Sequence, residues 1–183
     1  MPRSLTLIIL LTLLSPSQLV PQTNKPPERA MEPHPEDGAS IDSIIKALYD
    51  VISGPAGEKR DLDRFRALFV PDSHLIPMVP GATGGMEARV LTPESFIERS
   101  QQRTATEGFW EREVARRTEQ FAHIAHVFTT YESRRQQDGQ PFARGINSIQ
   151  LMNDGRRWWI VNIIWEAERP GSELPQKYLQ TPR

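Results

Sequence analysis

Hydrophobic side chains in the first half of the chain recur at the three- and four-residue spacing of amphipathic helices. The spacing predicts a first helix that follows the N-cap Ser40 and ends before Gly54-Pro55. A second, short helix begins at Asp61 and stops at Pro71, and a third begins at Thr92. The apolar stripe of the first helix consists of Ile41, Ile44, Ile45, Leu48 and Ile52.

The second half of the chain is rich in β-branched and aromatic residues, which favour strands. Asp138-Gly139 and Asp154-Gly155 are strong hairpin signals between these runs. Two shorter strands are predicted within residues 72–91, around a glycine-containing turn. Helices followed by antiparallel strands indicate an α+β fold. The long predicted strands cover residues 109–120, 121–134, 142–152 and 158–166.

The two ends of the chain differ from the centre. Arg3 and the apolar run 5–14 are typical of a secretory signal, which we assign to residues 1–20. The run is shorter than the roughly 20 residues of a stable membrane span, so we expect a secreted or periplasmic protein, with an uncleaved anchor as the alternative. Residues 21–39 are proline-rich and predict a disordered linker. The domain then covers residues 40–168, and 169–183 form a C-terminal tail.

Composition excludes several classes of function. The chain has 183 residues, 22 Lys and Arg against 23 Asp and Glu, and no cysteine. A net charge of −1 argues against nucleic-acid binding, which needs a basic surface. Without cysteine there is no disulfide, thiolate metal site or thiol nucleophile. His123 and His126 are three residues apart on a predicted strand and face opposite sides, so we expect no metal site and no cofactor.

The order of elements and the last hairpin resemble a known superfamily. Residues 153–165, read as NDGRRWWIVNIIW, are similar to the final hairpin of the nuclear transport factor two-like superfamily, in its SnoaL-like branch. The exit of the second helix at Pro71-Asp72 resembles that group as well. The resemblance implies three N-terminal helices packed on a strongly curved antiparallel sheet, a cone-shaped α+β barrel that encloses a pocket. It does not imply one function, because the superfamily includes isomerases, cyclases, dehydratases and non-catalytic members.

Register arithmetic selects residues that would line this pocket. If Asp154-Gly155 is a two-residue turn, Asn147 faces Asn162 across the last hairpin. If the loop around Asp138-Gly139 keeps even parity, the same face carries His126, Phe128, Thr130 and Glu132. An odd loop would instead bring Tyr131 and its alternate neighbours to the asparagines.

Histidine is the side chain whose proton affinity lies nearest neutral pH, so His126 and His74 are the predicted catalytic bases. The charge-dense run 111–119 predicts a solvated face, with Glu113 reaching into the cone as the alternative. In the resembling enzymes the last strand often carries His or Asp before its terminal Trp. Here those positions are Asn162, Ile163 and Ile164, which weakens the catalytic interpretation.

Three functions therefore compete. The first is an exported module that binds a small apolar molecule in the pocket. The second is a cofactor-free lyase, isomerase or cyclase with a histidine base. The third is a structural or partner-binding module. Both faces of the last strand are apolar, so we expect a homodimer through the outer sheet face, with the linker or the tail covering that face as the alternative.

Overall fold

The computed structural model describes residues 34–180, so the predicted signal peptide and residues 21–33 of the predicted linker lie outside the described residues. The predicted α+β fold is confirmed. Three helices, α1 Ile41–Ile52, α2 Leu62–Arg66 and α3 Pro93–Thr104, accompany one sheet. The strands are β1 Phe69–Pro80, β2 Met86–Ala88, β3 Trp110–Phe121, β4 Ile124–Arg134, β5 Pro141–Asn153 and β6 Trp158–Ala167.

The sheet has the strand order β2-β1-β6-β5-β4-β3. Its pairs are antiparallel except for β1 and β6, which run parallel, so the predicted antiparallel sheet is mixed at this pair. The second helix ends at Arg66 rather than at Pro71, which lies inside β1. The predicted segment Leu75-Ile76 is thus part of a 12-residue strand.

Irregular registers in four strand pairs bend the sheet, because an extra residue in one strand increases its local twist and bend. They lie between Phe69 and His74, between Glu113 and Ala115, between Ser133 and Arg134, and between Gln150 and Leu151. The concave face so formed is covered by α1, whose first turn is fixed by a capping box between Ser40 and Ser43. The core joins α1 to the centre of the sheet through Ile44, Ile45, Leu48, Val127, Ile149 and Ile160.

The domain begins before residue 40. Residues Pro35–Gly38 form a 3-10 helix, although the sequence assigned residues 34–39 to a disordered linker. The physical reason is a buried ion pair: Arg64 Nε and Nη2 each donate a hydrogen bond of 2.8 Å to the carboxylate of Asp37. These hydrogen bonds hold the pKa of Asp37 below its usual value. The prediction did not include a long-range partner for a residue in a proline-rich segment.

The C-terminal tail lies on the outer, convex face of the sheet. The ring of Tyr178 packs against Phe128 with 5.1 Å between centroids, and Arg117 Nη2 donates to the carbonyl oxygen of Lys177 at 2.8 Å. The tail therefore covers part of the face for which we expected a dimer partner. Phe121 and Ile124, farther along that face, stay 79% and 62% exposed. Within residues 34–180, none of the helices has the length and apolar character needed to cross a membrane.

Replacing Asp37 with Asn should lower the free energy of unfolding by about 3 kcal/mol, because it leaves the Arg64 guanidinium without its charged partner in a largely buried position. Urea unfolding followed by circular dichroism measures this change. The matched control is Asp63→Asn, which breaks an exposed pair with Arg66 and should change stability by less than about 1 kcal/mol. Equal effects of the two substitutions would contradict the clamping role of Asp37.

Candidate functional site

A pocket of about 180 Å³ lies between the concave face of the sheet and the helices. Most of its wall is apolar, and edge-to-face packing of Phe96 on Trp165, 6.1 Å between centroids, closes one side. The polar groups in the wall come from α3, β3, β4 and β5. The apolar lining residues are Leu48, Ile52, Phe65, Leu75, Phe96, Phe109, Ile163 and Trp165, and the polar ones are Arg103, Glu111, Tyr131, Ser133 and Asn147.

Glu111 is the carboxylate of this pocket. Its backbone is fixed to the end of α1, since Glu111 N donates to Ser53 Oγ at 3.0 Å and Ser53 Oγ donates to the carbonyl oxygen of Tyr49 at 2.7 Å. Its side chain accepts a hydrogen bond of 2.7 Å from Ser133 Oγ on the neighbouring strand. These hydrogen bonds therefore hold both the backbone and the carboxyl group of Glu111 in place.

Burial raises the pKa of Glu111 from the usual 4.5 to about 7. The hydrogen bonds from Ser133 and Asn147 and the charge of Arg103 act in the opposite direction, but the loss of hydration outweighs them. A carboxyl with this pKa exists in both protonation states near neutral pH. It can accept a proton or donate one without a large change of pH.

A chain of hydrogen bonds runs from the pocket wall into the core. Asn147 Nδ2 donates to the Tyr49 hydroxyl at 3.1 Å, and the Tyr49 and Thr129 hydroxyls are 3.3 Å apart. Thr129 Oγ1 donates to the carboxylate of Glu113 at 2.7 Å, and Glu113 pairs with Arg116 at 2.9 Å. Because Thr129 uses its proton on Glu113, it accepts from Tyr49 and the donors all point the same way. This network fixes the orientation of the Asn147 amide.

Tyr131 supplies a second polar group beside Glu111. Burial and the charge of Glu111 raise the pKa of Tyr131, so the phenol keeps its proton over the neutral range. Among the described residues its hydroxyl has no hydrogen-bond partner. Gly145 on β5 makes room for the ring, since a Cβ there would lie 2.6 Å from the hydroxyl oxygen. Tyr131 is thus a donor available to a molecule in the pocket.

The predicted pairing of Asn147 with Asn162 is wrong. Asn147 lies opposite Trp165, and Asn162 lies opposite Gln150 on the outer face. The loop at the last hairpin contains four residues, 154–157, rather than two, and an irregularity at Gln150/Leu151 shifts the register by one further residue. A one-residue shift moves every later side chain to the other face of the strand. Asn147 itself does line the pocket.

The face that the odd alternative gave to the middle strands is correct, but not because of the loop. Residues 135–140 form a loop of six residues, which is even, and an irregularity between Ser133 and Arg134 adds one residue to β5 and reverses the face. Thr129 lies opposite Asn147, so Tyr131 shares the pocket face and the even-numbered neighbours lie outside. Phe128 and Thr130 contact Tyr178 of the tail on that outer face. Glu132, also outside, accepts hydrogen bonds from Arg112 and Arg134, which together outweigh its burial and lower its pKa.

Neither predicted base reaches the pocket. His126 lies on the outer face, with Nε2 2.9 Å from Ser148 Oγ. His74 is exposed on β1, where it pairs in register with Asn162. Each histidine lies one residue away from a position on the concave face. Because side chains alternate along a strand, both histidines point to the outer face. Within residues 34–180, His, Asp and Glu side chains form no group of three that could hold a metal ion.

Sequence reasoning missed Glu111, Ser133 and Arg103 as pocket residues. Glu111 belongs to the run that was interpreted as a solvated face, and alternation on β3 splits that run between two faces. A useful signal was present: Glu111 and Glu113 are two residues apart and alternate with Arg112. That period places both carboxylates on one face.

Comparison with known proteins identifies the fold alone. No family model and no curated protein matches the sequence. A solved cystatin-like protein of unknown function from Nostoc punctiforme shares 12% identity with a TM-score of 0.52, covering 75% of this chain and 96% of that one. A solved NTF2-like protein from Cytophaga hutchinsonii shares 13% identity with a TM-score of 0.51, covering 69% and 97%. The chain therefore has the NTF2-like fold, as the final hairpin and order of elements predicted.

Glu111 should make stability depend on pH in an identifiable direction. Its folded pKa of about 7 lies above the usual 4.5, so the folded protein binds more protons between these values and loses stability as pH rises through that window. Glu111→Gln removes the charge. It should raise the free energy of unfolding relative to the parent protein above pH 7, by up to about 3 kcal/mol, with the gain disappearing toward pH 4.5.

Urea unfolding at a series of pH values measures that difference. Glu119→Gln is the matched control, because Glu119 is an exposed carboxylate on the outer face of the same strand. A gain that is equal in both variants, or independent of pH, would show that Glu111 is not a desolvated carboxyl.

Proposed function

We propose that this protein binds a small, largely apolar molecule in the pocket and transfers a proton to or from it through Glu111. The single observation that carries the proposal is a carboxyl in a mostly apolar pocket, with a pKa of about 7, beside the hydroxyl of Tyr131. Catalytic carboxyls are commonly tuned to such values by burial.

The size and lining of the pocket support the ligand class. Ligand sites are mostly apolar with a few placed polar groups, and those for drug-sized molecules measure roughly 300–1,000 Å³. A volume of about 180 Å³ suits a smaller molecule. Aromatic side chains from α2, from α3 and from the residue before β3, namely Phe65, Phe96 and Phe109, favour a flat or cyclic apolar body.

The polar groups define what the site could do to such a molecule. An oxygen of the ligand placed at Tyr131 would receive a hydrogen bond from a hydroxyl that the protein already holds beside Glu111. Glu111 would then remove a proton from the neighbouring carbon or return one to it. Negative charge developing on the oxygen would be stabilised by a fixed donor in a mostly apolar pocket. The proposal replaces the predicted histidine base with a carboxyl base.

Export and dimer formation are proposals that the sequence supports. The apolar run 5–14 after Arg3 supports export, and the absence of cysteine is compatible with an oxidising compartment. Exposed apolar side chains on the outer face, Phe121 and Ile124, support a second copy there.

Deuterium exchange tests the proton transfer. In D₂O near neutral pD, with 2-tetralone as the probe ketone, the protein should accelerate exchange of the protons next to the carbonyl, followed by proton NMR. Glu111→Gln should reduce the enzymatic rate about a hundredfold or more, because it removes the base. Tyr131→Phe should reduce it less, through loss of one donor.

Glu119→Gln serves as the control and should exchange at the parental rate. An undiminished rate in Glu111→Gln would contradict the role of the carboxyl. The absence of exchange above buffer in the parent protein would contradict proton transfer on ketones of this kind.

A further inference from the structure

Arg103 is the cation of the pocket wall. It lies in the last turn of α3, and its guanidinium carbon is 5.5 Å from the centroid of the Phe109 ring. Its residue surface is exposed, so the side chain stands where the pocket meets solvent, while Glu111 lies inside. The two charged groups therefore mark an outer and an inner position of one cavity.

Among residues 34–180 no ion pair joins the Arg103 guanidinium to a carboxylate, and its one electrostatic effect is on Glu111 in the same pocket, whose ionised form it favours. Glu107, the nearest acidic residue that follows it in the chain, pairs with Arg135 at 2.8 Å. At the N-terminal end of α3, Glu94 pairs with Arg66 at 2.7 Å. Within residues 34–180, the acidic side chains near both ends of α3 are thus engaged elsewhere and leave the Arg103 guanidinium, which lines the pocket, without an ion-pair partner.

The contact of Arg103 with the Phe109 ring affects how the guanidinium can bind a ligand. An aromatic ring beneath a guanidinium restricts its motion and leaves the edge, where the N–H groups are, free to bind. A guanidinium matches a carboxylate through two parallel hydrogen bonds. Eight of the thirteen lining residues of the pocket are apolar, so a molecule that reaches both Arg103 and the polar groups around Glu111 needs an apolar middle.

We infer that the pocket takes an organic acid: a small apolar body whose carboxylate binds Arg103 at the mouth and whose other end reaches Glu111, Tyr131 and Asn147. This inference rests on the proposed function, because it names the ligand class of the same pocket. It makes Arg103 the residue that selects anionic over neutral ligands.

Two probes of equal shape test the selection: 4-phenylbutanoic acid and its neutral amide, 4-phenylbutanamide. Isothermal titration calorimetry at pH 6 is suitable, since the acid is largely ionised there while Glu111, with a pKa of about 7, is largely protonated and does not repel it. The parent protein should bind the acid about tenfold more tightly than the amide. Arg103→Gln should lose that preference and bind both with the affinity of the amide.

Arg99→Gln is the matched control, an exposed arginine one turn earlier on α3 that does not line the pocket, and it should keep the preference. Arg103→Lys should restore part of it by keeping the charge. If the parent protein binds acid and amide equally, or if Arg99→Gln loses the preference as well, Arg103 does not select the ligand, although the pocket still binds apolar molecules. If neither probe binds, the proposed pocket function fails and this inference fails with it.

Discussion

The hydration that Glu111 loses inside the cone is the constraint on which the site depends. A carboxylate in water is stabilised by solvent, and apolar side chains cannot replace that stabilisation. The hydrogen bonds from Ser133 and Asn147 recover part of it, and the pKa nevertheless rises to about 7. The protein thus carries an ionisable group in a place that favours its neutral form, which is expected of a functional site and not of a group selected for stability alone.

The rest of the fold keeps that carboxyl in position. Bulges bend the sheet so that β3, β4 and β5 present Glu111, Tyr131 and Asn147 to one cavity. The end of α1 fixes β3 through Ser53, and the Tyr49 hydroxyl fixes Asn147. The helix that closes the cone is therefore also the element that orients the polar groups. The same contacts of α1 therefore pack the helix on the sheet and set the geometry of the site.

The sequence predicted the fold much better than the site. Apolar spacing around Ile44 and Leu48 and the β-rich runs identified α1 and four long strands, because burial patterns of this length are strongly periodic. Which face of a strand points inward depends on loop parity and on bulges, which local patterns do not encode. One irregular position near Leu151 was enough to separate Asn162 from Asn147, and a second one, between Ser133 and Arg134, placed His126 on the outer face. Asp37 shows the same limit, since its partner Arg64 is 27 residues away.

The most direct test is the titration of Glu111 itself. In protein carrying ¹³C at the glutamate side-chain carboxyls, the Glu111 resonance can be assigned by its disappearance in Glu111→Gln and followed by NMR as a function of pH. The account predicts a midpoint near 7, well above the other glutamates. A midpoint near 4.5 would mean that water reaches the carboxyl freely, and the proposed acid–base site would then have no physical basis.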